Sequence, residues 1–263
     1  MGHRWGSGCR HGNHRRPPGC AADGGPLSVK QPKAPSRANG RSRKIGLFGG
    51  SFDPIHVGHV AVARAAQRRF HLDHVLFIPL GRPPHKVRHR LAPFPHRFAM
   101  VALACAGHPQ FVPSLAEAGP KLGGQRVYYS IDTVRHFRHV FHRHGDHLYF
   151  ILGADSFLKI PMWKEYVALL NSCNFIVASR PGFRSDVLRM VIPRELLGRP
   201  HASAASADPH AIALRRTTVH LLDSVASDVS ATEVRRRCHR GQSIRGLVPP
   251  LIEEYIGKQA LYR

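Results

Sequence analysis

Between Lys44 and Ala66 the chain passes from a short apolar run, Lys44-Ile45-Gly46-Leu47-Phe48, into a helical pattern, Val60-Ala61-Val62-Ala63-Arg64-Ala65-Ala66. The connection is Gly49-Gly50-Ser51-Phe52-Asp53-Pro54-Ile55-His56-Val57-Gly58-His59. Glycines end a strand, two histidines stand one turn apart at a helix start, and Gly58 admits close approach to the backbone. Such a junction suits phosphate. Free N–H groups and the positive end of the helix dipole attract an anion. Imidazoles add donors where negative charge develops. The stretch is not the dinucleotide fingerprint G-x-G-x-x-G, nor a Walker loop, which requires Gly-Lys-Ser/Thr.

The same alternation continues downstream. Strands are expected at Ile45–Phe48, His74–Pro79, Phe111–Pro113, Leu148–Leu152, Asn174–Ala178 and Val219–Leu222. Helices are expected at Val60–Phe70, Phe94–Ala106, Tyr129–Phe141, Met162–Leu170, Ala231–Cys238 and Pro250–Tyr255. Phe94, Phe98, Val101 and Cys105 would share one helix face, and Ile131, Val134, Phe137 and Phe141 another. The strands are short continuous apolar runs, as in a parallel sheet buried on both faces. The expected fold is α/β: a Rossmann-like, doubly wound parallel sheet with helices on both faces. Such sheets bind ligands beyond the carboxyl ends of their strands, where the Gly49–His59 loop would sit. Residues 198–217, with little pattern, read as an inserted surface loop.

Charge and cysteines bound the rest. Of the +23 formal charge, residues 1–44 carry ten Lys/Arg against a single acid, Asp23. Residues 1–43 are Gly-, Pro-, Arg-, Ser- and His-rich and read as a disordered basic tail, with the folded domain over 44–263. The basic body suits phosphorylated substrates; charge without a nucleic-acid motif does not indicate specific nucleic-acid binding. No apolar run approaches the ~18 residues of a membrane span, and no secretory h-region is present. Five scattered cysteines form no C-x-x-C, so a disulfide framework or structural zinc is not expected and a reducing cytoplasm is. His136, His139, His142, His144 and His147 are interleaved with Arg135, Arg138 and Arg143, which suits a solvated helix face better than a metal site.

Three other stretches carry two readings each. Ser230 and Glu233 form an S-x-x-E capping box, so a helix should start at Ser230. With Thr232 and Arg235 this is either a phosphate cradle or a plain cap with a surface arginine. Pro83-Pro84-His85-Lys86 is a stiff loop that reaches a phosphate, or a solvated basic turn. Trp163 is a stacking platform or a core aromatic. Asp155 stands where a strand gives way to a helix and reads as an N-cap.

Taken together, G-x-F-x-P-x-H-x-G-H over residues 50–59 resembles the HxGH nucleotidyltransferase superfamily. Pro83-Pro84-His85-Lys86 resembles one branch, the bacterial nicotinate-nucleotide adenylyltransferases. Gly153-Ala154-Asp155-Ser156 is similar to that branch's G-x-D-S, Trp163 with Tyr166 to its W-x-x-Y, and Ser179-Arg180-Pro181-Gly182 to its R-P-G turn. Val229-Ser230-Ala231-Thr232-Glu233-Val234-Arg235 resembles I-S-x-T-x-x-R, with valine in the isoleucine place. Tyr128-Tyr129-Ser130-Ile131-Asp132-Thr133 resembles S-Y-T-x-x-T, with Ser130 where threonine is usual. Gln259-Ala260-Leu261-Tyr262-Arg263 is also similar to that branch.

The resemblance implies AMP transfer from ATP to nicotinate mononucleotide, giving deamido-NAD and pyrophosphate in NAD biosynthesis. It implies His56 and His59 on the ATP phosphates, with Gly50, Ser51 and Phe52 beside both nucleotides. It places Ser230, Thr232 and Arg235 on the triphosphate. His85, Lys86, Ser130, Asp155, Trp163 and Arg180 would bind substrate. Magnesium would arrive with ATP, without a dedicated metal site. Self-association into a homo-oligomer is a further expectation. Nicotinamide mononucleotide and phosphopantetheine remain alternative acceptors. Class I tRNA synthetases share H-x-G-H, but no K-M-S-K-S-like stretch accompanies it here.

Overall fold

The computed structural model describes residues 42–81, 91–119, 127–142, 145–198, 211–223, 225 and 228–263, all of which belong to one contact unit over 33–263. The chain runs β1 (Lys44–Gly50), α1 (Val57–Phe70), β2 (His74–Pro79), α2 (Phe94–Cys105) and β3 (Phe111–Pro113). It continues α3 (Ser130–His142), β4 (His147–Gly153), α4 (Ala154–Phe157), α5 (Tyr166–Leu170), β5 (Asn174–Ala178) and α6 (Ser185–Arg189). It closes with β6 (Ile212–Ala213), β7 (Thr218–Leu222), α7 (Ala231–His239) and α8 (Pro250–Lys258). Among the described residues no helix is long and apolar enough to cross a membrane.

One seven-stranded sheet has the order β3-β2-β1-β4-β5-β7-β6. All neighbouring pairs are parallel except β6–β7 at one edge. The strand sequences explain the layering. Alternate residues face opposite sides, and both sides are apolar. Leu47, Leu76, Ile78, Phe150 and Leu152 belong to one core cluster with Ile131, Val134 and Phe137 of α3 and Leu169 of α5. Phe48, Val75, Phe77 and Ile151 belong to the other, with Met100 and Val101 of α2, Val234 of α7 and Ile252 of α8. The chain therefore steps outward from β1 to β3, crosses back, and steps outward again from β4. The β1/β4 boundary is the switch point, where a crevice opens at the strand ends.

Several expectations shift. α1 starts at Val57 rather than Val60, because His56 takes the N-cap in an extended conformation. On α2 the buried face is Phe94, Arg97, Met100, Val101, Ala104 and Cys105, so Phe98 lies at its margin and an arginine lies inside. The helix expected over Met162–Leu170 is broken. A 3-10 turn, Ile160–Met162, is followed by extended Trp163, and α5 begins only after Glu165 at φ 50°. Residues 211–217 are not a surface loop: Ile212 and Ala213 pair with β7, and the buried Thr217 hydroxyl donates to the Leu170 carbonyl at 2.6 Å. Residues 199–210 lie outside the described residues. Arg43 is already part of the domain, its backbone N–H and guanidinium donating to Asp146 at 2.8 and 2.7 Å.

Candidate active site

The loop between β1 and α1 is shaped from within. A Cβ on Gly50 would sit 3.0 Å from the Phe52 ring, so glycine lets that ring fold back under the strand end. Phe52 takes φ 45° and is 1 % exposed. Its ring meets Phe48 edge-on at 5.6 Å and His59 at 5.1 Å. Phe52, expected beside the nucleotides, thus points into the core and supports His59 from behind.

The two histidines form a neutral, ordered pair. The His56 backbone N–H donates to His59 Nδ1 at 3.2 Å. An accepting Nδ1 places the proton of a neutral ring on Nε2. The ring centroids are 3.8 Å apart. Burial lowers His56 to about 4. Burial, and then repulsion from His56, lower His59 well below its ordinary value. His56 Nδ1 is buried with no hydrogen-bond partner among the described residues. The first turn of α1 contains no acid, so its dipole faces the site unshielded.

A buried polar frame holds this loop to its neighbours. Arg97, 2 % exposed, donates to the carbonyls of Ser51 at 2.9 Å, Leu80 at 2.8 Å, Gly81 at 3.2 Å and Ala92 at 2.9 Å. Asp53 Oδ1 accepts from the Ala92 backbone N–H at 3.1 Å and from the Tyr262 hydroxyl at 2.8 Å. Glu117 accepts from the Gly81 N–H at 3.2 Å and the Thr133 hydroxyl at 2.6 Å, and burial raises its pKa. Residues 82–90, with His85 and Lys86, lie outside the described residues, but Gly81 and Ala92 on either side are anchored. Sequence reasoning assigned no role to Asp53, Arg97, Glu117 or Tyr262.

A cleft of about 730 Å³ opens at the carboxyl ends of β1 and β4. It brings together Gly50, Ser51, His56, His59, Ser130, Asp155, Trp163 and Arg180. Trp163 is half-buried and edge-on to Phe150 at 6.3 Å. Lys164 holds its ammonium 4.6 Å from the Tyr129 ring and 3.6 Å from Asp132. Lys159, Lys164 and Arg180 line the cleft with Asp155, the one carboxylate among its described lining residues, while Arg180 also stands 3.8 Å from Asp228.

The α7 end sits at the margin: Val229 lines the cleft, while Ser230, Thr232 and Arg235 do not. Ser230 Oγ accepts from the Glu233 N–H at 3.2 Å. Only half of the expected capping box forms, because the Glu233 carboxylate is taken by Arg236 and Arg237 at 2.6 and 2.8 Å. Arg235 reaches across to the first loop. Its Nη1 donates to the Asp53 carbonyl at 2.6 Å and its Nη2 to Thr232 Oγ1 at 3.2 Å.

The sequence model of the cytidylyltransferase-like family matches residues 47–237. A relative from Pelobacter propionicus named "Probable nicotinate-nucleotide adenylyltransferase" is 41 % identical, covering 83 % of this chain and 98 % of its own. One of the same name from Moorella thermoacetica is 37 % identical over 85 % and 93 %. Among solved structures, the Plasmodium falciparum nicotinic acid mononucleotide adenylyltransferase complexed with NaAD superposes with a TM-score of 0.63. At 18 % identity, over 84 % of this chain and 97 % of that one, it shares the fold.

Proposed function

We infer, for a chain that belongs to the cytidylyltransferase-like family and within it to the nicotinate-nucleotide adenylyltransferases, that it transfers AMP from ATP to nicotinate mononucleotide, giving deamido-NAD and pyrophosphate. The carrying observation is the His56–His59 pair at the unshielded start of α1, opening into the cleft at the sheet's switch point.

In this reading the phosphate of nicotinate mononucleotide attacks the α-phosphorus of ATP in line, and pyrophosphate leaves. No covalent enzyme intermediate forms. Catalysis is positioning plus charge stabilisation. His59 donates through Nε2–H to the phosphate oxygen that gains charge, and His56 lies in contact beside it. Gly50 and Ser51 line the end of the cleft that takes the phosphates. Ser230, Thr232 and Arg235 take the triphosphate from the other side, and the charge of Lys86, with His85 beside it in sequence, suits a substrate phosphate. Trp163, Ser130 and Arg180 hold the nicotinate side, and Asp155 binds nucleotide hydroxyls. Magnesium would come with the nucleotide as part of the substrate and would offset charge on the leaving phosphates, with Asp155 the one carboxylate among the described residues lining the cleft. A protein of this kind would act in the cytoplasm.

The test is pyrophosphate release from MgATP with nicotinate mononucleotide and nicotinamide mononucleotide as parallel acceptors. A strong preference for the acid is expected. Equal rates would replace the assignment with a dual-specificity enzyme, and no release with either would overturn it.

A further inference from the structure

The chain after α8 folds back on the sheet. Ala260 and Tyr262 both take left-handed backbone, at φ 49° and 65°. That conformation is costly for residues with side chains and persists where contacts elsewhere repay it. Leu261 and Tyr262 pack against the core cluster that includes Phe48, Phe52 and Met100. The Tyr262 hydroxyl donates to Asp53 Oδ1 at 2.8 Å across 209 residues of sequence. Burial, with the Asp53 carboxylate beside it, raises the tyrosine pKa, so the hydroxyl stays a donor.

Asp53 therefore meets two kinds of partner. Its side-chain Oδ1 is taken by Tyr262 and by the Ala92 N–H. Its backbone carbonyl is taken by Arg235 at 2.6 Å, while the other carboxylate oxygen stands 4.0 Å from the same guanidinium. The distinction matters for a group that must leave. A guanidinium on a neutral carbonyl is displaced by a triphosphate far more readily than one locked on a buried carboxylate, because a charge pair is the stronger bond.

We propose that Tyr262 is a positioning residue for Arg235. Held by Tyr262, the Asp53 carboxylate cannot swing onto the guanidinium, so Arg235 rests on the Asp53 carbonyl, ready to move onto a nucleoside triphosphate. Without the hydroxyl, the carboxylate captures Arg235 and competes with the nucleotide. The inference rests on the reading above for the placement of Arg235 on the triphosphate.

The experiment measures MgATP binding by calorimetry without an acceptor, together with KM for each substrate and kcat, on the full chain. Tyr262→Phe should weaken MgATP roughly tenfold, the size of a hydrogen bond to a charged group. KM for nicotinate mononucleotide and kcat should stay within about threefold. Adding Asp53→Asn removes the competing charge while keeping an acceptor for Ala92, and should restore MgATP binding to within about threefold. Asp53→Asn alone, which leaves Tyr262 untouched, should bind MgATP at least as tightly as the wild type. Unchanged MgATP affinity in Tyr262→Phe, equal losses for both substrates, no restoration in the double variant, or weaker binding in Asp53→Asn would each overturn the proposal. A wild-type protein that binds MgATP but releases no pyrophosphate would overturn the adenylyltransferase reading while the binding series still decides the role of Tyr262.

Discussion

Two helix starts border the cleft, α1 within its lining and α7 at its margin, and they are built in opposite ways. The start of α1 is buried and held from every side. His56 is 8 % exposed, Phe52 supports His59 from below, Arg97 grips the Ser51 carbonyl, and the Val57 N–H donates to Leu247 at 3.0 Å. The start of α7 is open. Ser230 and Thr232 are exposed, Val234 is the one buried residue of the helix, and Glu233 serves its own helix rather than the cap. A group fixed before the substrate arrives can be aimed at the transition state, because its ordering cost is met in folding. A group ordered by the substrate spends part of its binding energy on being ordered. So α1 should govern turnover and α7 nucleotide affinity.

The sharpest way to break this contrast is His59→Ala. Loss of one preorganised donor should lower kcat at least ~10²-fold while the variant stays folded, with KM for ATP changing much less. Steady-state kinetics with circular dichroism as the folding control would check it. Near-normal kcat would remove His59 from the chemistry. A loss confined to KM would make α1 a binding element like α7 and dissolve the comparison.

A second contrast is in pH. His56 has an ordinary value near 6.5 in the unfolded chain and about 4 when folded. Below pH 6.5 the unfolded chain takes up a proton that folded His56 refuses, so stability falls as pH drops from 6.5 towards 4. At pH 5 this amounts to about 2 kcal/mol. At the α7 end, Glu233 is held by Arg236 and then Arg237 to about 2, so it stays ionised across that range. His56→Asn should therefore flatten the acid side: urea unfolding should show the stability gap between variant and wild type shifting in the variant's favour from pH 7 to pH 5. An unchanged gap would mean His56 is not buried neutral, and the preformed character of α1 would lose its electrostatic support.

How much of this was legible depended on whether the cause was local. Three strands, His74–Pro79, Phe111–Pro113 and Asn174–Ala178, have the expected boundaries because apolar runs ended by Pro or polar residues carry their own limits. The histidine pair was legible for the same reason: cap, glycines and helix are contiguous. What sequence reasoning missed is held by distant partners. The helix expected over Met162–Leu170 breaks where Trp163 packs on Phe150 and Lys164 reaches Asp132, and such contacts override helical propensity. Arg97 left a readable trace, a charge three residues after Phe94 and four before Val101 on the apolar face of α2. Tyr262 left none pointing to Asp53, since nothing in spacing predicts a bond across 209 residues. Ser130, Trp163 and Arg180 do come to one cleft, while Phe52 turns inward because Gly50 makes room for its ring.

The smallest expected effect tests the open arm. Ser230→Ala removes the hydroxyl that accepts the Glu233 N–H at 3.2 Å. For an exposed cap with a long bond the loss should be near the low end for such changes, about 0.5 kcal/mol. Thr232 lies in that first turn and its hydroxyl accepts from Arg235 at 3.2 Å, so fraying it should raise KM for ATP about two- to threefold by mass action on the competent state. Turnover at saturating ATP should be unchanged, because bound nucleotide restores the turn. Ser230→Thr, which keeps an acceptor oxygen, should return KM to near wild type. A kcat loss approaching that of His59→Ala would show that α7, too, is fixed before the nucleotide binds, and the division between aiming and capture would fall.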